Sequence, residues 1–335
     1  MVDNKRALGR GGLRVGPLGF GAAVIGNLYT AVDPETANAT VHAALDSGVR
    51  YFDTAPHYGL GLSEERLGAG IAGFDRSRLI ISSKVGRLLV DNPEGVNQRD
   101  PELFDVSASK RRVYDYSRDG VLRSLESSLD RLGTDHMDIL FVHDPDNHHD
   151  EALDGAFPAL EELRSQGVIR SYGAGMNSPG MLADFVRNTD LDVVMLAGRY
   201  TLLDQGAQAE LLPLCAQRGV SMVAAGVFNS GLLARDRPAA DATYDYAPAK
   251  QEIVARANRI ADVCERHGVT LPQAAAQFPV NHPAVATVVL GARTATEVTR
   301  NATLFDRSVP LECWQELVAE GLLAENVPMP TGATA

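Results

Sequence analysis

Eight short apolar segments rich in β-branched residues recur along this chain, separated by longer stretches whose apolar residues have helical spacing. Alternation of this kind favours parallel strands joined by right-handed helical crossovers. Eight such units without a break in composition predict an α/β fold, a closed (β/α)8 TIM barrel forming a single domain over residues 1–335. We expect the strands at Leu18–Ala22, Val49–Thr54, Leu79–Val85, Met137–His143, Ile169–Gly175, Val193–Gly198, Ser221–Val227 and Thr287–Ala292.

Helix starts and stops between these segments support the alternation. The stretch Asp33–Gly48 begins with a capping residue and a proline at the first helical position, and it ends at a glycine. The stretch Leu122–Gly133 repeats leucine at the spacing of one buried helical face. The rival doubly wound fold would need a glycine fingerprint at its first strand-to-helix turn, and Gly19, Gly21 and Gly26 have the wrong spacing for it.

Three segments are longer than a minimal connection, namely Gly86–Arg118, Phe228–Ala249 and Ser308–Ala335. Loops that follow barrel strands collect at the carboxyl-terminal rim, where barrel enzymes keep their active sites. Long loops at that rim more often carry substrate contacts than idle sequence. We therefore expect a binding site among these loops, and a mobile tail from about residue 325 to 335.

Charge and composition exclude several classes of partner. The formal net charge is −12, and the one dense basic run, Lys110–Arg112, lies beside acidic residues, so a nucleic-acid partner is not expected. No stretch is apolar enough to span a membrane, and the first residues do not resemble a secretory signal. Cys215, Cys264 and Cys313 lack the spacing of metal ligands. We expect a cytoplasmic protein without a metal that acts on a small molecule and could form a homo-oligomer.

Polar residues close three consecutive strands that are otherwise apolar. Asp53, Lys84 and His143 lie at the ends of the second, third and fourth predicted strands, and Tyr58 follows shortly after Asp53. Adjacent barrel strands would bring all four side chains to one rim. Each residue alone is more often a loop cap, a surface lysine or a structural histidine. Their coincidence at consecutive strand ends indicates a catalytic site.

The chemistry that this set supports is proton transfer by a tyrosine. A phenol normally titrates near ~10, too high for ready exchange at neutral pH. We expect the Lys84 ammonium to lower the pKa of Tyr58, while Asp53 orients Lys84 and His143 binds the reacting oxygen. The hydride that accompanies such a proton would belong to a cofactor.

Two long motifs, "YFDTAPHYGLGLSEERLG" and "SLDRLGTDHMDILFVHDPD", resemble those of the aldo-keto reductases, and the similarity spans nearly the whole chain. The resemblance implies that Asp53, Tyr58, Lys84 and His143 form the family's catalytic tetrad. It also implies a dinucleotide cofactor and a short N-terminal hairpin, Ala7–Val15, that closes the bottom of the barrel.

The resemblance also suggests where the dinucleotide binds. Asn177 matches a residue that contacts the nicotinamide carboxamide, whereas Met176 replaces the usual serine beside it. Tyr200 matches a tyrosine expected to stack on the nicotinamide, but Ala197 replaces the usual glutamine three residues earlier. The pyrophosphate segment would comprise Gly226, Val227, Phe228, Ser230, Gly231 and Leu232, and the adenosine end Gly291, Ala292, Arg293, Thr294, Glu297 and Asn301.

The choice between NAD and NADP depends on two side chains of opposite charge. A carboxylate at Glu297 would repel a ribose 2′-phosphate and could accept hydrogen bonds from free ribose hydroxyls. Arg293 favours the opposite choice, because a guanidinium suits phosphate. We expect NAD to be preferred over NADP.

Shorter motifs, "AVIGNLY", "KVGRLL" and "AGRYTLLD", are similar to the bacterial aldose 1-dehydrogenase branch of the family, which includes dehydrogenases of D-threo-aldoses, L-fucose and pyridoxal. This resemblance implies oxidation of the anomeric C1–OH of an aldose to a lactone, with Tyr58 accepting the hydroxyl proton. The expected substrate-binding side chains are Asn27, Tyr29, His57, Arg87 and Tyr116, with loop packing as the alternative for each of them.

Other functions remain open at this point. Oxidation of pyridoxal is one, and NADPH-dependent reduction of small aldehydes or ketones is another. A third is a barrel that binds a dinucleotide as a regulatory subunit without catalysis, although an intact tetrad argues against a purely binding role.

Overall fold

A computed structural model of the protein describes residues 5–239, 241–245 and 247–330. In chain order its strands are β1 (Arg6–Leu8), β2 (Leu13–Val15), β3 (Leu18–Gly21), β4 (Tyr51–Asp53), β5 (Ile80–Val85), β6 (Arg87–Asp91), β7 (Lys110–Tyr114), β8 (Ile139–His143), β9 (Ser171–Met176), β10 (Val193–Ala197), β11 (Ser221–Ala225), β12 (Thr243–Tyr244), β13 (Ala247–Pro248) and β14 (Val285–Gly291). Parallel pairing closes β3-β4-β5-β8-β9-β10-β11-β14 into a barrel, so the predicted fold is confirmed.

Helices follow the barrel strands and surround them. They are α1 (Pro34–Asp46), α2 (Leu62–Ile71), α3 (Arg118–Leu132), α4 (His149–Glu151), α5 (Phe157–Ser165), α6 (Pro179–Asn188), α7 (Leu211–Arg218), α8 (Gln251–Arg266), α9 (Leu271–Gln277), α10 (Ala295–Thr303) and α11 (Leu311–Ala319). The Asp33 side chain caps α1 by accepting from the Thr36 N–H, and α3 ends at Gly133 in the left-handed conformation. None of the helices in the described ranges is long and apolar enough to cross a membrane.

The predicted strands are all present, with shifted bounds. The second begins at Tyr51 rather than Val49, because the Val49 N–H bonds to the Ala44 carbonyl and so completes the turn after α1. The last begins at Val285, where it pairs with Met222 of β11.

An N-terminal hairpin formed by β1 and β2 closes the amino-terminal end of the barrel, as predicted. Leu8, Leu13 and Val15 of the hairpin are buried in one apolar cluster with residues of the barrel interior, among them Tyr51 and Phe141. A second, larger cluster lies between the strands and the surrounding helices. The barrel is therefore filled with side chains up to its carboxyl end.

A buried ion cluster fixes the hairpin to the barrel. The Asp192 carboxylate, 1% exposed, accepts hydrogen bonds from Arg164 at 2.8 Å and Arg10 at 3.2 Å, and from the Tyr172 N–H at 3.1 Å. Both arginines also contact Asp190, which is 55% exposed. Because Arg10 lies between β1 and β2, the cluster ties the hairpin to the turn before β10.

The long loops at the carboxyl-terminal rim contain structure of their own. β6 and β7 pair as an antiparallel hairpin after β5, and β12 and β13 form a smaller one after β11. At the C-terminus α11 packs on α8. Of the predicted tail, residues 331–335 lie outside the described residues, and Val327 is buried.

Candidate active site

The four predicted catalytic residues line one cavity of about 740 Å³ at the carboxyl end of the barrel. Asp53 and His143 are the last residues of β4 and β8, and Lys84 lies near the end of β5 between them. Tyr58 follows β4 in the connection to α2. Because β4, β5 and β8 are neighbours, parallel pairing alone brings their carboxyl ends together.

The Asp53–Lys84 ion pair forms the floor of the cavity. The Lys84 Nζ donates to Asp53 Oδ2 at 2.7 Å and to the Thr54 carbonyl at 2.8 Å, and Ser82 Oγ donates to Asp53 Oδ1 at 2.7 Å. Both charged side chains are less than 5% exposed. Burial by itself lowers the pKa of Lys84, but the Asp53 carboxylate and the Tyr58 oxygen together outweigh it and the pKa is raised. Lys84 is therefore an ammonium at neutral pH.

Tyr58 lies against this ammonium, with the Lys84 Nζ 4.7 Å from the centroid of the phenol ring. Lys84 favours the phenolate, as predicted, but burial disfavours it more strongly and raises the pKa of Tyr58 to about 12. The expectation of a phenol acidified below its ordinary pKa therefore needs correction. Tyr58 therefore keeps its proton at neutral pH and can act as a proton donor.

His143 presents a neutral imidazole to the same cavity. Burial, followed by the charge of Arg87, lowers the pKa of His143 well below its usual value. The ring is edge-on to Tyr58, with centroids 5.8 Å apart, and its Nδ1 has no hydrogen-bond partner among the described residues. A neutral imidazole beside a phenol can hold a polar oxygen of a ligand by a hydrogen bond.

His57 and Arg87, two of the expected substrate residues, line the cavity beside the tetrad. Arg87 Nη2 donates to Asp144 Oδ2 at 2.8 Å, and its Nη1 lies 3.3 Å from His57 Nδ1. Burial, with smaller contributions from the nearby cations, lowers the pKa of His57 to about 2, so this imidazole is neutral as well. Gly86 allows the approach, because its φ of 102° turns the chain from β5 into β6 and a Cβ there would lie 2.3 Å from the Tyr116 ring.

The structure does not bring the other three expected substrate residues to this cavity. The Asn27 amide is buried, accepting from the Val32 N–H and from Arg66 and donating to the Asp105 carbonyl. Tyr116 is also buried, and its hydroxyl donates to the His143 carbonyl at 3.1 Å. Tyr29 is 46% exposed on the first loop. Asn27 and Tyr116 therefore hold loops and strand ends in place. This matches the alternative given for them in the sequence analysis, which was loop packing instead of substrate binding.

The expected dinucleotide residues divide in the same way. Met176, Asn177, Gly226, Ser230 and Gly291 line the cavity. The others do not, namely Tyr200, Val227, Phe228, Gly231, Leu232, Ala292, Arg293, Thr294, Glu297 and Asn301. Those that line it come from the ends of β9, β11 and β14, or from the loops directly after them. β9 adjoins β8 beside the tetrad, whereas β11 and β14 lie across the barrel from β5 and β8.

Tyr200 is the clearest departure from expectation. Its ring is 2% exposed, packs against Phe278 with centroids 5.1 Å apart, and its hydroxyl donates to Gln208. An apolar ring surrounded in this way belongs to the core between barrel and helices and is not placed to stack on a ligand. Its neighbour Arg199 lines the cavity instead, paired with Asp245 at 2.8 Å.

The side of the cavity away from the tetrad has the features of a dinucleotide site. Asn229 and Ser230 follow β11 with φ angles of 45° and 57°, in a tight turn closed by the hydrogen bond from the Asn229 N–H to the Gly226 carbonyl. Asn229, which lines the cavity, and Asn301 each leave a buried Oδ1 without a partner among the described residues. Amide oxygens without a donor suit the hydroxyl groups of a dinucleotide.

The segment expected at the adenosine end begins a helix. The Thr294 hydroxyl accepts from the Glu297 N–H at 3.3 Å, and Glu297 Oε2 accepts from the Arg293 N–H at 2.7 Å. This reciprocal arrangement caps the N-terminus of α10. The Arg293 guanidinium donates to the carbonyls of Leu28 and Thr30. Glu297 therefore has a structural partner independent of any ligand.

Several residues that line the cavity were not anticipated from the sequence, namely Leu28, Glu102, Leu103, Asp144, Asp146, Arg199 and Asp245. Asp144 directly follows β8 and Arg199 follows β10 by two positions, so the rule that found the tetrad could have found both. No cluster of His, Cys, Asp or Glu within the described ranges could hold a metal ion.

Comparisons with known proteins agree with this geometry. Residues 17–319 match the profile of the Aldo/keto reductase family. The chain is 44% identical to a D-threo-aldose 1-dehydrogenase of a Pseudomonas species and 43% identical to a pyridoxal 4-dehydrogenase of Microbacterium luteolum, in both cases over 96% of this chain and 99% of the relative. The holo form of an aldo-keto reductase from Bacillus halodurans is 26% identical and superposes with a TM-score of 0.74, covering 96% of this chain and 97% of that structure.

Proposed function

The chain belongs to the aldo/keto reductase family, and we propose that it oxidises the anomeric C1–OH of an aldose to a lactone. Enzymes of this family use NAD(P)H as cofactor. Two relatives of the chain are named as dehydrogenases, which agrees with an oxidoreductase that acts on CH–OH groups. One observation carries the proposal. The cavity that contains the tetrad is also lined by three polar side chains that could bind sugar hydroxyls, namely His57, Arg87 and Asp144.

Each tetrad side chain has one task in this reaction. Tyr58 accepts the proton of the C1 hydroxyl, and the Lys84 ammonium stabilises the phenolate that this requires. Asp53 keeps Lys84 charged and in place. The neutral His143 imidazole holds the reacting oxygen. A nicotinamide dinucleotide bound in this cavity would supply the hydride acceptor that a two-electron oxidation at C1 requires.

The cofactor is proposed to bind across the cavity, from Asn177 beside the tetrad to Gly226, Ser230 and Gly291 on the far side. NAD is the proposed partner rather than NADP. Glu297 supports this choice, because a carboxylate near the adenosine ribose would repel a 2′-phosphate. Arg293 does not oppose it strongly, since its guanidinium is held by two backbone carbonyls.

A substrate screen tests the proposal. Purified protein is incubated with L-fucose, other aldoses and pyridoxal, each with NAD⁺ and with NADP⁺, and reduced nicotinamide is followed by its absorbance. The expected result is turnover of an aldose with NAD⁺ that disappears in a Tyr58→Phe variant. Turnover of pyridoxal and no aldose would replace the sugar by the alternative substrate of the second relative.

Reduction of small aldehydes or ketones is a second candidate, and the state of Tyr58 favours it. A phenol with a pKa of about 12 keeps its proton at neutral pH and is ready to protonate a developing alkoxide. The screen therefore includes NADPH and NADH with reactive aldehydes. Faster reduction of aldehydes than oxidation of every sugar would favour this candidate.

A further inference from the structure

Asp144 occupies a particular place beside the tetrad. It is the first residue after β8, it lines the cavity, and its Oδ2 lies 3.5 Å from Nε2 of His143. Its φ of 40° is the left-handed conformation, which places it at a sharp turn out of the strand. Since His143 holds the reacting oxygen in the proposed function, the Asp144 carboxylate lies beside the group that would hold that oxygen.

Arg87 fixes this carboxylate. The guanidinium is only 9% exposed, donates through Nη2 to Asp144 Oδ2, and approaches His57 through Nη1. Its Nε is buried without a partner among the described residues. No described residue donates to Asp144 Oδ1, so this oxygen remains available to a ligand. Partial burial raises the pKa of Asp144, and its side chain remains 34% exposed, so a ligand can reach it.

An aromatic wall stands next to the pair. The Phe104 ring is 5.3 Å from the His57 ring in an edge-to-face arrangement and 6.1 Å from the Tyr58 ring. Phe104 and His57 both line the cavity. A carboxylate–guanidinium pair beside aromatic rings suits a compact molecule with hydroxyls on one side and C–H groups on the other.

From this geometry we propose that Asp144, held by Arg87, accepts a hydrogen bond from the hydroxyl on the substrate carbon next to the reacting carbon. Asp144 is then the residue that selects 2-hydroxy aldehydes and their cyclic hemiacetals, the chemical class to which aldoses belong, over carbonyl compounds without that hydroxyl. The inference rests on the proposed function, since it takes His143 and Tyr58 as the groups that hold the reacting oxygen.

Two matched pairs of substrates test it, each differing by a single hydroxyl. L-fucose against 2-deoxy-L-fucose is measured in the direction of oxidation, and glycolaldehyde against acetaldehyde in the direction of reduction. For the unaltered protein we expect kcat/KM to favour the hydroxylated member by on the order of 100-fold, because the analogue loses a hydrogen bond to a charged acceptor that is only about one third exposed. Asp144→Asn should reduce that ratio by about tenfold or more, since the neutral amide is a weaker acceptor.

Asp144→Asn is a conservative test, because asparagine has nearly the same shape and tolerates the left-handed conformation at this position. Asp146→Asn is the matched control, since Asp146 lines the same cavity two residues further on and is exposed. The control should leave the ratio within about twofold, as expected for a solvated carboxylate. A structural role alone would lower both members of a pair together and leave the ratio unchanged.

The outcomes separate this inference from the proposed function. A ratio that Asp144→Asn leaves unchanged in both pairs overturns the role of Asp144, whether or not sugars are oxidised. If no sugar is oxidised but the glycolaldehyde preference is present and depends on Asp144, the inference stands and aldose oxidation fails.

Discussion

The two ends of the barrel each hold a buried aspartate paired with cations, and they use it differently. At the amino end Asp192 binds Arg10 and Arg164, and both arginines are further held by Asp190 and by backbone carbonyls. At the carboxyl end Asp53 binds Lys84, whose ammonium also lies against Tyr58 and an open cavity. At the amino end both arginines are partly exposed and have several protein acceptors, so the ion pair stabilises the fold. At the carboxyl end the buried ammonium lies against Tyr58 and a space that a ligand can enter, so the ion pair supports chemistry.

Tyr58→Phe should give the largest effect, and it tests the catalytic role assigned to the carboxyl end of the barrel. Removing one hydroxyl takes away the proton acceptor without changing the shape of the ring, so we expect kcat to fall by about 1000-fold. The dissociation constant for the dinucleotide, measured by calorimetry, should change by less than about twofold. If binding is lost together with turnover, the residue supports the fold rather than the reaction.

Lys84→Met should have the next largest effect, on turnover and on its pH dependence. Oxidation needs the phenolate, and with the pKa of Tyr58 at about 12 its population grows as pH rises. We therefore expect kcat/KM for oxidation to increase by about tenfold per pH unit from pH 7 to 9. Because Lys84 lowers the pKa of Tyr58, its removal should raise that pKa and reduce the rate about 100-fold at a given pH while keeping the slope.

The reverse reaction serves as the control for this sign. Reduction needs the phenol, which persists until pH approaches 12, so its rate should stay level over the same range. A plateau of the oxidative profile below pH 8 in the unaltered protein would mean that Lys84 and the bound ligands outweigh burial.

The Asp53–Lys84 ion pair at the carboxyl end could be predicted from the sequence because both residues lie on regular strands. Parallel pairing fixes where Asp53, Lys84 and His143 end, and the resemblance to a family supplied their roles. Asp144 was within reach of the same rule, yet its left-handed turn and its partner Arg87 became visible only in the fold.

Loop side chains were harder to predict because their direction depends on packing between distant segments. Tyr116 and Tyr200 are of a residue type that is common in binding sites, but both rings are buried against the barrel. The pKa of Tyr58 posed a similar difficulty. The sequence shows that a lysine is near, but the opposing effect of burial depends on the surrounding structure.

Asp192→Asn tests the structural role assigned to the ion cluster at the amino end of the barrel. Removing the charge weakens hydrogen bonds to two arginines in a buried position, and we expect the free energy of unfolding to fall by about 2 kcal/mol in urea denaturation. Turnover per folded molecule should not change, since the cluster lies at the opposite end of the barrel. Asp190→Asn is the control, and because Asp190 is largely exposed its cost should stay below about 1 kcal/mol. A loss of turnover at full folding would show that the two ends are coupled.

Glu297→Arg gives the smallest expected effect and asks whether one carboxylate can serve both purposes. Glu297 caps α10 by accepting a hydrogen bond from the Arg293 N–H, a structural role like that of the Asp192 cluster. In the proposed function it also faces the adenosine ribose, a ligand-binding role like that of the Asp53–Lys84 pair. Loss of the cap should cost about 1 kcal/mol of stability. Loss of the repulsion should shift the ratio of kcat/KM for NAD⁺ over NADP⁺ toward NADP⁺ by about tenfold, equivalent to the gain of one screened charge contact. Glu297→Ala removes the cap without adding a positive charge. A stability loss common to both variants without a change of cofactor ratio in either would assign Glu297 to the fold alone and remove it from the choice of cofactor.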